Sequence, residues 1–266
     1  MTGQAEIAVL PDYLAFAHEL ADRAGEVLRR YYRAPIPVDY KADQSPVTIA
    51  DRETEGVMRD LIRSRFPEHG IEGEEFASEH GEAELVWSLD PIDGTKAFLV
   101  GRPTFGTLIS LLRRGRPLLG IIDQCISRER WVGVLGEPST CNGSAIRVRP
   151  CPDLGHAVLS TTTPQMFKAA AEQAAFARIA SAVRFPVYGG DCYAYGLLAM
   201  GFADLVVEAD LDLHDFAALV PVIEGAGGVI TDWQGQALGP GSDGRVIAAG
   251  DRRIHAQALA LLAERS

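Results

Sequence analysis

The chain has 266 residues, of which 47% are hydrophobic and 23% are charged, a composition typical of a globular protein with a substantial core. The net charge of −11 argues against nucleic acid and against an anionic membrane surface as partners. No apolar stretch is long enough to span a bilayer, and the N-terminus lacks the pattern of a secretory signal. The four cysteines form no CxxC pair, which favours reduced thiols, so we expect a cytoplasmic protein.

Helical periodicity dominates the first quarter of the chain. Apolar residues at helical spacing predict helices over Tyr13–Tyr31 and Ile49–Arg65, and the polar stretch Lys41–Thr48 between them is predicted to be a loop. Apolar runs then predict a sheet with strands at Val86–Leu89, Thr107–Leu112, Leu118–Ile122 and Trp131–Leu135, with a hairpin turn at Arg113–Pro117.

Pro150 and Pro152 indicate a domain boundary, which divides the chain into an α+β half (residues 1–150) and an α/β half (residues 151–266). The second half alternates strands and helices, predicted at Ala157–Thr161, Pro164–Val183, Tyr193–Met200, Asp204–Val207, Asp215–Glu224, Val229–Thr231, Val246–Ala249 and Arg252–Arg265. Pro221 predicts a kink in the third of these helices. Strands and helices in both halves indicate a layered α/β fold.

A turn after the first predicted strand carries two carboxylates. Asp90 and Asp93 are separated by two residues. Held on a rigid turn, together with a backbone carbonyl such as that of Ile92, they form an all-oxygen site of the type that magnesium prefers. The Gly94 and Thr95 amides lie where a helix would begin, a position that binds phosphate. The loop is therefore a candidate for holding metal and phosphate together, although a simple surface turn has the same pattern.

Two further acidic motifs flank this turn in the chain. Gly73-Glu74-Glu75 precedes it, and His214-Asp215 follows it before an apolar helical run. Together with the hexapeptide Asp90–Thr95, these motifs resemble the inositol monophosphatase-like superfamily of magnesium-dependent, lithium-sensitive phosphatases. The resemblance covers nearly the whole chain. It implies a layered αβαβα sandwich of the inositol monophosphatase/fructose-1,6-bisphosphatase type, commonly a homodimer, that hydrolyses a small-molecule phosphate ester.

The resemblance also implies a set of Mg²⁺ ligands. Glu74, Asp90 and the Ile92 carbonyl match the ligands of a first ion. Asp90, Asp93 and Asp215 match those of a second ion, so that Asp90 bridges the two, and a third ion is often placed near Glu74. Most of these ligands fall in the first half of the chain, whereas Asp215 falls in the second half, with the other residues that are expected to contact the substrate.

The catalytic residues implied by the resemblance are Asp51, Thr95 and Glu74. Thr95 and Asp51 match the pair that orients a metal-activated water for direct attack on phosphorus, without a phosphoenzyme. Without the resemblance, the sequence favours interpreting Asp51 as a charge in the first turn of a helix, and the match to the motif reverses that preference. Lys41 matches a lysine on a mobile loop near the site. His214 departs from the resemblance, since the related sequences often have tryptophan before the late aspartate.

Other segments bear on which ester is cleaved. Gly101–Ile109, Ile122–Gln124 with Glu129–Trp131, Gly189–Tyr195 and Asp215–Gly228 resemble the histidinol-phosphatases of this superfamily. They favour hydrolysis of L-histidinol phosphate, a step of histidine biosynthesis. Lys96 also occurs in bisphosphate nucleotidases, so inositol 1-phosphate or a 3′,5′-bisphosphate nucleotide stays an alternative. A non-catalytic sensor of phosphate ligands is a more remote alternative.

Histidinol phosphate carries an ammonium group and an imidazole beside its phosphate, so its pocket should present carboxylates. Asp191 and Glu208 are the candidates, and either one could bind the ammonium by a charge-assisted hydrogen bond. Asp191 is equally typical of an N-cap for the helix predicted to begin at Tyr193. The expected substrate contacts are Asp93, Gly94, Thr95, Asp191, Glu208 and Asp215.

Overall fold

The structure, a computed structural model, describes residues 2–40 and 46–263, with side chains described for 10–39 and 47–263. Lys41 therefore lies outside the described residues. The helices are α1 Thr2–Tyr31, α2 Ile49–Arg65, α3 Thr95–Leu99, α4 Ala170–Ala182, α5 Asp191–Ala199, α6 Leu213–Phe216, α7 Leu219–Gly225 and α8 Arg252–Ala263. In the described part of the chain, none of these helices combines the length and the apolar character that crossing a membrane requires.

The strands form three sheets. They are β1 Val38–Tyr40, β2 Pro46–Thr48, β3 Gly70–Gly73, β4 Leu85–Asp93, β5 Gly106–Arg113, β6 Arg116–Gln124, β7 Glu129–Val134, β8 Thr140–Cys141, β9 Ser144–Ala145, β10 Val158–Thr161, β11 Phe185–Tyr188, β12 Leu205–Glu208, β13 Val229–Asp232 and β14 Val246–Ala249. β1 pairs with β2, seven strands run in the order β3-β4-β5-β6-β7-β8-β9, and five run in the order β11-β10-β12-β14-β13.

The two larger sheets alternate with layers of helices. Residues of α1 and α2 pack against one face of the seven-stranded sheet, as Leu20 and Ile62 do against Trp87. Helices α5 and α7 share one core with strands of both sheets, and α4 and α8 cover the far face of the five-stranded sheet. This arrangement confirms the expected αβαβα layering.

Close contact between α7 and the seven-stranded sheet depends on two glycines. A Cβ at Gly120 would lie 2.1 Å from the Ala218 carbonyl oxygen, and one at Gly133 would lie 2.2 Å from the Pro221 carbonyl carbon. Because neither backbone can move away within the packed layers, only glycine fits at these positions. The helix that leads away from Asp215 is thereby held against the sheet that carries Asp90 and Asp93.

Two predicted helices are each divided in the structure, and α1 begins at Thr2 instead of at the predicted Tyr13. The helix expected over Pro164–Val183 is a 3₁₀ turn at Pro164–Met166 followed by α4, because Phe167 leaves the helical conformation and stacks on Phe176 in the core. The helix expected over Asp215–Glu224 is two helices, α6 and α7. The break falls at residues 217–218, since Pro221 has no N–H to bond the carbonyl four residues earlier.

Short strands are the elements that the sequence patterns did not predict. β3 contains two glycines, and β11 is exposed on both faces, so neither shows a clear alternation of polar and apolar residues. β2 lies inside the loop predicted at Lys41–Thr48, while residues 41–45 of that loop lie outside the described residues. The change from one large sheet to the other falls between β9 and β10, and the two-domain division itself stays a prediction.

Candidate active site

The carboxylates of Asp90 and Asp93 are brought to one side of β4 by a β-bulge. Residues three apart on a regular strand point to opposite faces. Here Asp90 pairs with Leu108 and Asp93 pairs with Gly106, so that two residues of β4 oppose one residue of β5. The Thr107 hydroxyl fixes the bulge by donating to the Pro91 carbonyl at 2.9 Å. The bulge therefore converts an unfavourable spacing into a pair of converging carboxylates.

Asp215 joins this pair from α6. Carboxylate oxygens of Asp90, Asp93 and Asp215 all lie within 4.8 Å of one another. The Asp215 carboxylate is oriented by the backbone N–H of Asp212, which donates to its Oδ2 at 2.7 Å, and His214 Nε2 lies 3.6 Å from its Oδ1. Three of the predicted metal ligands are thus brought together by two distant segments of the chain.

The electrostatics of this cluster favour a cation. Burial, and then the charges of Glu74, Asp93 and Asp215, raise the pKa of Asp90 well above its ordinary value of 3.8. Burial, and then Asp191 and Asp215, raise the pKa of Asp93 in the same way. Carboxylates held this close repel one another unless a cation offsets their charge. The residues present therefore fit a site for divalent cations.

Glu74 completes the cluster from the neighbouring strand. It directly follows β3, which is parallel to β4 and pairs Gly73 with Leu89, so Glu74 lies beside Asp90. Its charge raises the pKa of Asp90, and also that of Asp51 and Asp215. The structure thus brings Glu74 together with the other predicted ligands, and its role as a ligand stays a prediction.

Asp51 is buried in the first turn of α2. Its Oδ2 accepts hydrogen bonds from the N–H and the hydroxyl of Thr48, at 2.8 and 2.7 Å, which completes a capping box. Its Oδ1 is buried and has no hydrogen-bond partner among the residues that the structure describes. Burial raises the pKa of Asp51, Thr48 opposes the shift, and Glu74 adds to it. Asp51 thus caps the helix and keeps one oxygen available for a ligand.

Thr95 begins α3 directly after the bulge. Its hydroxyl donates to the Ile92 carbonyl at 3.2 Å and is not bonded to Asp51. Gly94 before it has φ +85°, and a Cβ there would lie 2.8 Å from Cγ of Asp191. Glycine is therefore required at this position both for its backbone conformation and for the close approach of Asp191.

Asp191 and Glu208 line the same cavity as Asp93 and Asp215. The prediction that Asp191 caps a helix is wrong, because α5 begins at Asp191 itself, and its carboxylate accepts from the Thr104 hydroxyl at 3.3 Å. Burial raises its pKa to about 6, although the Thr104 hydrogen bond and the charges of Arg102 and Lys96 oppose the shift.

Glu208 is held more firmly than Asp191. Its Oε1 accepts from the Thr162 N–H at 2.8 Å and its Oε2 accepts from the Tyr195 hydroxyl at 2.9 Å. Burial raises the pKa of Glu208 to about 7, against the effect of these hydrogen bonds. Of the two carboxylates, Asp191 is therefore the freer to bind a ligand.

Three hydrogen bonds of the site were not anticipated from the sequence. The Cys192 N–H donates to Oδ2 of Asp93 at 2.5 Å, the Asp191 N–H donates to the Thr162 hydroxyl at 3.1 Å, and the Thr162 N–H donates to Glu208. All three have backbone amides as donors, so no residue type in the sequence could indicate them. They tie the substrate side of the cavity to the acidic cluster.

Known phosphatases are similar to this chain in sequence and in fold. The sequence profile of the inositol monophosphatase family matches residues 10–266. The bifunctional phosphatase IMPL2, chloroplastic, of Arabidopsis thaliana is 49% identical over 94% of this chain and 75% of its own length. A histidinol-phosphatase of Mycobacterium tuberculosis is 33% identical over 94% of this chain and 98% of its own. The structure of an inositol monophosphatase from Zymomonas mobilis, 50% identical, matches with a TM-score of 0.87 over 95% of this chain and 98% of that one.

Proposed function

The chain belongs to the inositol monophosphatase family of phosphatases, and we propose that it hydrolyses L-histidinol phosphate to L-histidinol and inorganic phosphate with Mg²⁺ as cofactor. The observation that carries this choice is the cavity in which Asp191 and Glu208 face the acidic cluster. An ester with an ammonium group near its phosphate would contact carboxylates at one end and the cations held by the cluster at the other. The named activity of the M. tuberculosis relative supports the same substrate.

Each residue of the cluster has a proposed role. The carboxylates of Glu74, Asp90, Asp93 and Asp215, with the Ile92 carbonyl, would hold two or three ions. When bound, Mg²⁺ supplies Lewis-acid stabilisation of the phosphoryl oxygens and lowers the pKa of water.

The remaining roles concern the water and the phosphate. The Gly94 and Thr95 amides would bind the phosphate. The Thr95 hydroxyl and the unbonded Oδ1 of Asp51 would orient the attacking water, and burial makes Asp51 a stronger base by raising its pKa. Glu74, whose charge acts on Asp51, would assist in this step.

Two other esters remain candidates. The likeness to the Z. mobilis inositol monophosphatase favours inositol 1-phosphate. Lys96 and Arg102, whose charges act on Asp191, favour a substrate with a second anionic group, such as a 3′,5′-bisphosphate nucleotide. A non-catalytic sensor is disfavoured, because all four carboxylates of the cluster are retained.

The deciding experiment is a direct comparison of substrates. The specificity constant kcat/KM is measured for histidinol phosphate, inositol 1-phosphate and adenosine 3′,5′-bisphosphate at saturating Mg²⁺. We expect the highest value for histidinol phosphate. A preference for inositol 1-phosphate would overturn the substrate and leave the metal-dependent mechanism standing, whereas no hydrolysis of any ester would favour the sensor.

The proposed assembly is a homodimer in the cytoplasm, with halves 1–150 and 151–266. The four cysteines are free and buried, as is usual in a reducing compartment. β11 is an edge strand with exposed Phe185, Val187 and Tyr188, and an open apolar edge favours association with a second chain. The net negative charge supports the exclusion of nucleic acid and anionic membranes as partners.

Thr95→Ala is expected to lower kcat by about 10²-fold with a much smaller change in KM, because a positioned proton-transfer or water-orienting group acts mainly in the transition state. Steady-state kinetics on histidinol phosphate measure both constants, and Thr95→Ser, which retains the hydroxyl, is the matched control. Capture of a phosphorylated enzyme during turnover would contradict direct attack by water.

Asp191→Asn is expected to lower kcat/KM for histidinol phosphate selectively. Loss of one charge-assisted hydrogen bond costs about 1.5–3 kcal/mol, or roughly ten- to a hundred-fold. Inositol 1-phosphate has no ammonium group and should lose less than about three-fold, since no such bond is removed. Glu208→Gln should show a smaller selective loss, because both Glu208 oxygens already accept hydrogen bonds. Equal losses on both substrates would show that these acids support the fold or the metals instead.

A further inference from the structure

Two charged side chains are buried on the face of α2 that carries Asp51. Asp51, Glu55 and Arg59 are spaced four residues apart and therefore lie in one row along the helix. Glu55 is 0% exposed and Arg59 1%, and Arg59 Nε donates to Glu55 Oε1 at 2.8 Å. Burial of an ion pair is a weak source of stability, because desolvation offsets the attraction. A buried pair at this place therefore calls for a reason other than stability.

The contacts of Glu55 supply that reason. Its Oε2 accepts from the Glu75 N–H at 2.8 Å and its Oε1 accepts from the Phe76 N–H at 3.3 Å. On the other side of Glu74, a Cβ at Gly73 would lie 2.2 Å from Glu55 Oε1, so the carboxylate rests directly on that glycine. Glu55 thus touches the backbone immediately before and immediately after Glu74.

Arg59 holds the next part of the same segment. Its Nη2 donates to the Phe76 carbonyl at 3.0 Å, and its Nη1 donates to the Ala77 carbonyl at 3.1 Å and to Glu79 Oε1 at 2.8 Å. The guanidinium therefore satisfies two backbone carbonyls and two carboxylates at once. Hydrogen bonds with these two side chains therefore hold most of segment 73–79 against α2.

We propose that Glu55 and Arg59 are positioning residues that fix segment 73–76, and so direct Glu74 towards Asp90, before any cation binds. This inference rests on the proposed function in so far as Glu74 is a cation ligand. The same helix presents the unbonded oxygen of Asp51, so α2 would set the relative position of two functional carboxylates. Partners of this kind orient ligands without touching the ion or the substrate.

Glu55→Gln tests the proposal. The amide keeps the shape of the side chain but removes the charge that binds two N–H groups and Arg59, so segment 73–76 should loosen. We expect Mg²⁺ binding, measured by calorimetry without substrate, to weaken by about ten-fold, and the Mg²⁺ concentration for half-maximal activity to rise in parallel. KM for the ester at saturating Mg²⁺ should stay within about two-fold of wild type, because the ester contacts neither residue.

The matched control is Ile62→Val, a buried change on the same helix away from the segment. It should lower the melting temperature and leave Mg²⁺ affinity unchanged. If Glu55→Gln likewise lowers only the melting temperature, Glu55 is merely structural and the proposal is overturned. Arg59→Lys, which keeps the charge but forms fewer bonds to the backbone carbonyls, should weaken Mg²⁺ binding less than Glu55→Gln does.

Hydrogen exchange on the wild-type protein provides a test that does not depend on a variant folding. In metal-free enzyme, the amides of Glu75 and Phe76 should exchange slowly, because both donate to Glu55. Fast exchange that becomes slow only on addition of Mg²⁺ would show that the ion orders the segment, and would overturn the proposal. Slow exchange and Mg²⁺ binding in a protein that hydrolyses no ester would reject the proposed function alone, whereas a wild-type protein that binds no Mg²⁺ would reject both.

Discussion

Asp90→Asn should lower kcat by about 10³-fold, the largest effect that we expect of any single substitution. Asp90 lies near each of the other three carboxylates of the cluster. Its oxygens lie within 4.8 Å of those of Asp93 and Asp215, and the charge of Glu74 acts on it directly. Asparagine keeps the size of the side chain but removes the negative charge that two neighbouring cations would share.

The fold should survive this substitution. Burial and three neighbouring carboxylates raise the pKa of Asp90, so a neutral side chain relieves repulsion in the metal-free protein. Circular dichroism should therefore show a folded variant that melts no earlier than metal-free wild type.

Asp204→Asn is the control, a buried aspartate paired with Arg149 outside the cluster, which should lose stability and keep its turnover. Activity of Asp90→Asn within ten-fold of wild type would contradict the bridging role.

The sequence was sufficient to predict the chemical character of this site, but its geometry depends on contacts that are distant in the chain. Asp90 and Asp93 could be recognised as candidate oxygen ligands beside Gly94. Their odd spacing on a strand, however, predicts opposite faces. They converge only because β5 accommodates a bulge at Thr107, and that pairing is a property of the sheet rather than of the local sequence.

Asp191 shows how little the local sequence says about the role of a single side chain. An aspartate just before a predicted helix is typical of an N-cap, and the local pattern supported that role and a substrate contact equally. In the structure its carboxylate packs on Gly94 and accepts from Thr104, because two segments far apart in the chain converge there. This tertiary packing excludes the N-cap, and the substrate contact stays a prediction.

The long helices and the central strands of the sheets were predictable for a physical reason. The apolar residues of α2 recur at helical spacing, although its buried stripe also contains charged residues. β5 and β6 each contain a mainly apolar run and are buried along nearly their whole length, so their pattern was clear. β3 and β11 are short and lack such a pattern, yet they position Glu74 and the segment that leads to Asp191. Two of the elements that position residues of the candidate site were therefore not visible in the sequence.

Removal of divalent metal should abolish activity altogether. The proposed catalytic groups include no activated cysteine, since the pKa of each of the four cysteines is raised by burial. Attack by water would depend on the cations that the cluster is proposed to hold. Exhaustive chelation followed by assay of histidinol phosphate hydrolysis tests this directly. Mg²⁺ should restore the rate, and full activity after chelation would refute the mechanism.

In the metal-free protein, the carboxylates of the cluster should lower the free energy of unfolding increasingly as pH rises. A carboxyl whose pKa is raised by folding binds its proton more tightly in the folded state. The loss of stability therefore begins above the ordinary pKa of 3.8 and grows until the pH passes the raised pKa of the folded state. Asp90→Asn removes one carboxyl with a raised pKa and, with it, that part of the loss of stability. The melting temperature of the metal-free variant should therefore exceed that of metal-free wild type by more at pH 8 than at pH 5. The titrating groups outside the cluster cancel in this difference, and the neighbouring carboxylates Asp93 and Asp215 act in the same direction, since each repels the charge on Asp90. Mg²⁺ at a hundred times its Kd adds about 2.7 kcal/mol to the wild type, or roughly 5–10 °C in a chain of this size, and should add much less to the variant. An equal gain in both proteins would mean that the ion binds elsewhere than at Asp90.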